Sequence, residues 1–165
     1  MANALPQAIG AHETFPDRQE ICLSGDGGFT MLMRDFLSLK QLKLPIKVII
    51  FNNSSLSFVE LEMKAAGFLI HVPDLIETDF LKLAEAVEIL GLRAERPEQV
   101  KTMLSQALEH EGPALVNVAV NRQELLVPPS INLAQIKGFT LYMIKAVLNC
   151  KGDEVVDLAR TNLFM

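Results

Sequence analysis

Several common features are missing from this 165-residue chain, and each absence removes a class of function. Its 15 basic residues are outnumbered by 20 acidic ones, for a net charge of −5. They form no basic stripe of the kind that meets a nucleic-acid backbone and no polybasic patch for anionic lipid. Only two cysteines occur, Cys22 and Cys150, with no CxxC pair. Cys22 lies within an apolar run, which reads as a buried thiol in a reducing compartment rather than half of a disulfide. No uninterrupted apolar run reaches the roughly 18 residues of a membrane span. The first residues lack a basic segment followed by an apolar core, so no signal peptide is read there. His12, His71 and His110 are scattered without metal or triad spacing. Together these absences predict a cytoplasmic domain, and 50% hydrophobic residues over this length suffice for a real core.

The standard phosphate and nucleophile motifs are also missing. Gly25 and Gly27 begin a dinucleotide fingerprint, but its third glycine falls on Thr30. No Gly-Lys-Ser/Thr follows for a P-loop, no EF-hand spacing occurs, and Ser24 is not in a G-x-S-x-G elbow.

What is present is one organised stretch, Ser24 to Ser55. Gly25-Asp26-Gly27-Gly28 follows a short apolar run, Ile21-Cys22-Leu23, and Asn52-Asn53 follows a second one, Ile46 to Phe51. Between them Phe29, Leu32, Met33, Phe36, Leu37 and Leu39 recur at helical spacing, ended by Pro45. Strand, Gly-rich turn, helix, turn and strand make a parallel βαβ unit, which puts both strand C-termini on one sheet edge. Asp26 and Asn53, 27 positions apart, should therefore arrive side by side. An oxygen ligand from each, beside glycine amides at a helix N-terminus, is what a magnesium-bound diphosphate needs. Asp26 as a helix cap and Asn52-Asn53 as an ordinary turn are the plainer readings, compatible with the first.

Along the rest of the chain, Met1 to Ala11 reads as a helix under a sheet and Glu20 to Ser24 as the first strand. Leu56 to Gly67 reads as a helix capped by Ser54 or Ser55, and Asp79 to Leu90 as one capped by Thr78 and ended by Gly91. An edge strand Leu92 to Glu95, a helix from Pro97 to about Glu111, and a buried strand Ala114 to Val120 follow. Beyond Pro128-Pro129, Leu133 to Leu148 and Asp153 to Met165 read as two more helices. The alternation predicts an α/β fold with a doubly wound parallel sheet, whose ligands bind beyond the strand C-termini.

The GDG and NN clusters at this separation resemble the thiamin-diphosphate motif of the decarboxylase and oxidase superfamily. The wording GDGGFTMLMRDFLSLKQLKLPIKVIIFNN, followed by Phe58-Val59-Glu60-Leu61-Glu62-Met63-Lys64, resembles its pyruvate oxidase branch, in particular the FAD-containing, quinone-reducing pyruvate dehydrogenase. That resemblance implies an enzyme that oxidatively decarboxylates pyruvate to acetate and carbon dioxide and passes electrons through FAD to a quinone. It implies Asp26, Asn53 and the Ser55 carbonyl as magnesium ligands, and Gly25, Asp26, Gly27, Gly28, Asn53 and Ser55 around the thiamin diphosphate. Met1 would match a residue whose backbone meets the aminopyrimidine, and Phe58, Val59 and Glu62 would line the pyruvate pocket. Ser57 departs from a glycine common in the family, and Arg34 from a small residue. The resemblance further implies that residues 1–130 are the diphosphate-binding domain with its beginning missing. Pyrimidine-binding and FAD domains would lie outside this chain, which alone turns nothing over, and the assembly would be a homotetramer. Residues 131–165 would be a helical tail, with 153–165 a peripheral membrane contact on the inner face of the cell membrane. Two rivals remain: an acetolactate-synthase-like or oxygen-dependent, acetyl-phosphate-forming relative, and a non-catalytic interaction module with the same fold.

Overall fold

The computed structural model describes residues 1–70, 75–122, 124 and 132–163, the side chain of Leu163 excepted. The chain divides into two compact units. One comprises Met1–Ser54 with Leu75–Val120, the other Ser55–Asp74 with Asn121–Met165. The Pro128-Pro129 boundary and the tip Phe164-Met165 lie outside the described residues.

The first unit is a four-stranded, wholly parallel sheet in the order β1-β2-β4-β3. Its strands are β1 (Ile21–Gly25), β2 (Lys47–Asn52), β3 (Leu90–Ala94) and β4 (Ala114–Ala119). The central pair reads KVIIFN and ALVNVA, nearly all apolar or small, and is buried on both sides as a doubly wound sheet requires. Helices α1 (Ala4–Thr14), α2 (Asp26–Met31), α3 (Phe36–Gln41) and α5 (Phe80–Ala86) cover one face. There Leu5, Phe29, Phe36, Leu39 and Phe80 pack on Cys22, Val48, Ile50 and Leu115, with Phe29 edge-on to both Phe36 and Phe80. Helix α6 (Pro97–Glu109) covers the other face through Val100, Met103, Leu104 and Ala107 on Ile49, Val116 and Val118. On that second face the edge strand β1 keeps Ile21 and Leu23 exposed, 46% and 57%, beside Phe51 of β2.

The α/β class and parallel sheet are those expected, but the element boundaries differ in instructive ways. The single helix read between the first two strands is three pieces, α2, a 3₁₀ turn at Met33–Asp35, and α3. The chain leaves the helical region at Leu32 (φ −124°, ψ 33°), and α3 stops at Gln41, before Pro45. Helix α5 starts one residue later than expected, capped by Asp79, whose carboxylate accepts the Leu81 and Lys82 amides in place of Thr78. It ends at Ala86, and Glu88 turns left-handed (φ 55°) just before the chain enters the sheet at Leu90. Gly91 therefore terminates no helix. It lies in β3, where a Cβ would stand 3.0 Å from Ala84 Cβ, so its role is to let α5 approach the strand.

The second unit is helical: α4 (Ser57–Ala65), α7 (Leu133–Leu148) and α8 (Gly152–Leu163). Neither Ser54 nor Ser55 caps α4; its N-cap is Leu56, without a side-chain bond. Helix α7 opens with a full capping box between Asn132 and Gln135 and packs on both α4 and α8. It passes close to α4 at Gly138, where a Cβ would lie 1.9 Å from the Ala65 carbonyl oxygen. Leu158 of α8 is buried while Asp153, Glu154 and Asp157 stand along the same helix. Among the described residues no helix is long and apolar enough to cross a membrane.

Candidate functional site

Adjacent pairing of β1 and β2, with Gly25 level with Phe51, brings their C-terminal turns together. Asp26 opens α2 directly after β1, and Asn52-Asn53-Ser54 leaves β2. The Asp26 carboxylate is buried and bridges the two turns: Gly27 N–H donates to Oδ1 at 2.9 Å and Ser54 N–H donates to Oδ2 at 2.7 Å. The juxtaposition read from the βαβ pattern is thus present. Asp26 is not the cap read from the sequence: it is the first residue of α2, whose N-cap is Gly25 without a side-chain bond, and its carboxylate takes the next amide, that of Gly27. The second turn is an Asx turn built by Asn52, whose Oδ1 accepts the Ser54 amide at 3.1 Å. The left-handed residue is Ser54 (φ 54°), not either asparagine. Asn53, half-buried, sits between them.

Burial pushes the Asp26 carboxyl above its ordinary pKa, and the amides of Gly27, Ser54 and Asn53 pull it back only in part. The buried anion carries a desolvation cost that a nearby cation would offset. Among the described residues no cluster of three or more His, Cys, Asp or Glu could hold a metal. One carboxylate with amide and carbonyl oxygens suits a hard cation such as magnesium, which keeps several waters and shares a substrate phosphate. A Cβ on Gly25 would meet nothing nearer than the Phe51 carbonyl at 4.0 Å, so the backbone there is not crowded. At Gly28 a Cβ would stand 3.3 Å from Ser24 Oγ and 3.7 Å from the Ala2 nitrogen, so the chain next to Met1 runs beside the glycine turn. Met1 itself is exposed. These residues fit a magnesium diphosphate.

In the second unit, Phe58 and Glu62 are exposed on α4 and Val59 is half-buried. The buried carboxylate of that helix is Glu60. Its Oε1 meets Lys64 Nζ at 2.9 Å, and its Oε2 accepts the Ser55 hydroxyl at 2.9 Å. Arg122 Nη2 adds a third partner at 3.3 Å from the same Oε2. Lys64 Nζ lies 5.6 Å from the centre of the Tyr142 ring, and the Tyr142 hydroxyl donates to Glu154 at 3.4 Å. Burial opposes the Glu60 charge, but Lys64, Ser55 and Arg122 outweigh it and hold the carboxyl below its usual pKa. Phe58 and Ser57 line a cleft whose wall includes Glu60, Lys64 and Arg122. The sequence reading of α4 assigned Glu60 and Lys64 no role. The Glu60–Lys64 spacing of four was visible; Arg122, 62 positions away, was not.

The family described as "Thiamine pyrophosphate enzyme, C-terminal TPP binding domain" matches residues 1–118, and the chain belongs to it. Among its relatives, the protein YdaP of Bacillus subtilis, named as thiamine pyrophosphate-containing, is 36% identical over 98% of the chain. An acetolactate synthase of the same organism is 34% identical over 81%, and the acetolactate synthase isozyme 2 large subunit of Escherichia coli is 32% identical over 82%. The chain covers 28%, 23% and 26% of those three proteins respectively, about a quarter of each.

Proposed function

We propose that this chain is the magnesium- and diphosphate-holding part of an acetolactate-synthase-like enzyme that decarboxylates pyruvate and joins the resulting two-carbon unit to a second 2-oxo acid. The observation that carries the reading is the buried Asp26 carboxylate bridging the β1 and β2 turns, in a chain whose relatives include several proteins named acetolactate synthase. Bound thiamin diphosphate supplies the carbon nucleophile and electron sink for decarboxylation. The chain's own part is to anchor it. Asp26, the Asn53 side chain and the Ser55 carbonyl hold magnesium, and the glycine turn Gly25–Gly28 lies along the diphosphate, with the Gly28 amide turned to it while that of Gly27 holds Asp26. Phe58, Val59 and Glu62 on α4 face the 2-oxo acid, and Met1 stands at the aminopyrimidine. The remaining domains, including an FAD site, belong to the rest of a cytoplasmic homo-oligomer.

A second reading is oxidation of pyruvate to acetate with electrons passed through FAD to a quinone. It draws on a specific observation: the alignment spanning 98% of the chain is to a relative not named as an acetolactate synthase, whereas the acetolactate synthases align over 81–84%. On this reading the segment 153–165, which contains most of α8, makes the peripheral membrane contact. The enzyme containing this chain, supplied with pyruvate, thiamin diphosphate, magnesium and FAD, separates the two. Acetolactate formed without dye reduction supports the first; acetate with stoichiometric reduction of a quinone analogue supports the second. Absence of carbon dioxide release in an enzyme that has bound its cofactors would refute both.

A further inference from the structure

The turn that leaves β2 is held at two consecutive residues by two different carboxylates. Ser54 gives its amide to Asp26 at 2.7 Å, and Ser55, joined to it by one peptide bond, gives its hydroxyl to Glu60 at 2.9 Å. Ser54 is a non-glycine residue at φ 54°, a conformation that persists where the surroundings over-determine it. Ser55 is 5% exposed and Glu60 3%, so neither partner has water to fall back on. The Glu60 carboxylate is itself fixed from three sides, by Lys64, Arg122 and the Ser55 hydroxyl, on a helix that packs against α7. A structural ion pair would need only Lys64 and Glu60. Directing one carboxylate oxygen to the serine next to the site turn gives the cluster a second role.

We propose that Glu60 is a positioning residue: through the Ser55 hydroxyl it fixes the Asn53–Ser55 turn, and with it the carbonyl and side-chain oxygens offered to the metal. This rests on the reading of Asp26, Asn53 and Ser55 as the magnesium site, and deepens it. Partners that orient metal ligands from behind are worth about 10–100-fold in metal affinity when removed.

The test uses the 165-residue chain and the Ser55→Ala variant, which removes the hydroxyl while leaving the backbone carbonyl and the Glu60 ion pairs in place. Glu60→Gln is the second variant and Asp26→Asn the control for the site. Amide hydrogen exchange followed by NMR reads the turn without any ligand. The Ser54 amide should exchange about tenfold faster in Ser55→Ala, while the amides of Val48 to Ile50 in β2 stay unchanged. Unchanged exchange at Ser54, or acceleration spread evenly over β2 and α4, would overturn the clamp. Broadening of the Asp26 and Asn53 amides by Mn²⁺ alone then reads the metal. Ser55→Ala should need roughly 10-fold more Mn²⁺ than the wild type, Glu60→Gln should shift in the same direction, and Asp26→Asn should show no site broadening. Equal Mn²⁺ affinity in Ser55→Ala, with broadening lost in Asp26→Asn, sinks the positioning role and keeps the site. Equal broadening in wild type and Asp26→Asn, or none in the wild type, sinks the metal reading itself and leaves the clamp to the exchange data.

Discussion

Replacing Lys64 by methionine offers a sharp test of the α4 cluster, because the change in the pH dependence should reverse sign. In the wild type, Lys64 and Glu60 are each 4% exposed at the side chain and 2.9 Å apart. Removing one partner of a buried pair leaves an uncompensated charge, at a cost of about 3–5 kcal/mol. Arg122, at 3.3 Å and 35% exposed, remains as a weaker partner, which places the expectation at the lower end, about 3 kcal/mol. Wild-type Glu60 has its carboxyl held below its unfolded value, so its stabilisation is present above about pH 4.3 and is lost as the pH falls through the folded value. In Lys64→Met burial takes over and the folded value rises above the unfolded one. The variant should then gain stability as the pH is lowered from 7 towards 5, the opposite slope. The assay is urea unfolding followed by tyrosine fluorescence. Tyr142 is the single tyrosine, the chain has no tryptophan, and its ring lies against Lys64, so the signal reports the helical unit alone. A loss under about 0.5 kcal/mol, the range of ordinary surface substitutions, or a slope of unchanged sign, would refute the account of the cluster. The pair-replacing variant Glu60→Leu/Lys64→Met should recover more than half of the loss, since swapping a buried pair for apolar groups is often neutral.

Three further outcomes follow from the geometry. Asp26→Asn should abolish magnesium-dependent binding of thiamin diphosphate by calorimetry. The wild-type carboxyl, raised by burial, loses stability as the pH rises through its folded value, and thermal melts of Asp26→Asn should lack that component. Gly138→Ala would put a Cβ 1.9 Å from the Ala65 carbonyl, forcing α4 and α7 apart; a loss of about 3 kcal/mol or more is expected in the tyrosine-detected unfolding, and a neutral variant would refute the crossing. Phe80→Ala removes a ring that is 1% exposed and 5.6 Å centre-to-centre from Phe29, and should cost about 3–5 kcal/mol in far-UV-detected unfolding of the sheet unit.

The sheet and its site edge were legible because each rests on short-range pattern. Two apolar runs, a helical spacing between them, and polar turns at their ends suffice to place Asp26 beside the second turn. Helices α6 and α7 were equally plain, with Pro97 opening one and an unbroken apolar periodicity filling the other. What misled was the overlap of two periodicities. Phe80, Leu83, Ala84, Val87 and Leu90 continue a helical series, but Leu90 and Leu92 also make a strand, and tertiary pairing with β4 decided for the strand. Met33 and Leu37 belong to the apolar series read between the first two strands, yet both are exposed, so the series outran the surface available to cover it. On α4 the family resemblance singled out Phe58, Val59 and Glu62. The buried line is Glu60 and Lys64, charges that can be inside only because of Arg122 and Tyr142, which no local pattern announces.

The uncovered side of β1 has a consequence for the chain in solution. A strand at the end of a sheet keeps one row of amides and carbonyls without a neighbouring strand, and proteins normally blunt such a row with lysine, proline or a bulge. β1 reads Ile-Cys-Leu-Ser-Gly, with none of these, and shows two apolar side chains on its open face. At high concentration the row is a template on which any extended segment can nucleate. Among the described residues no strand pairs with the outer edge of β1, so the same five residues that set Asp26 at the head of its helix also leave an unblunted edge of the kind that proteins usually protect.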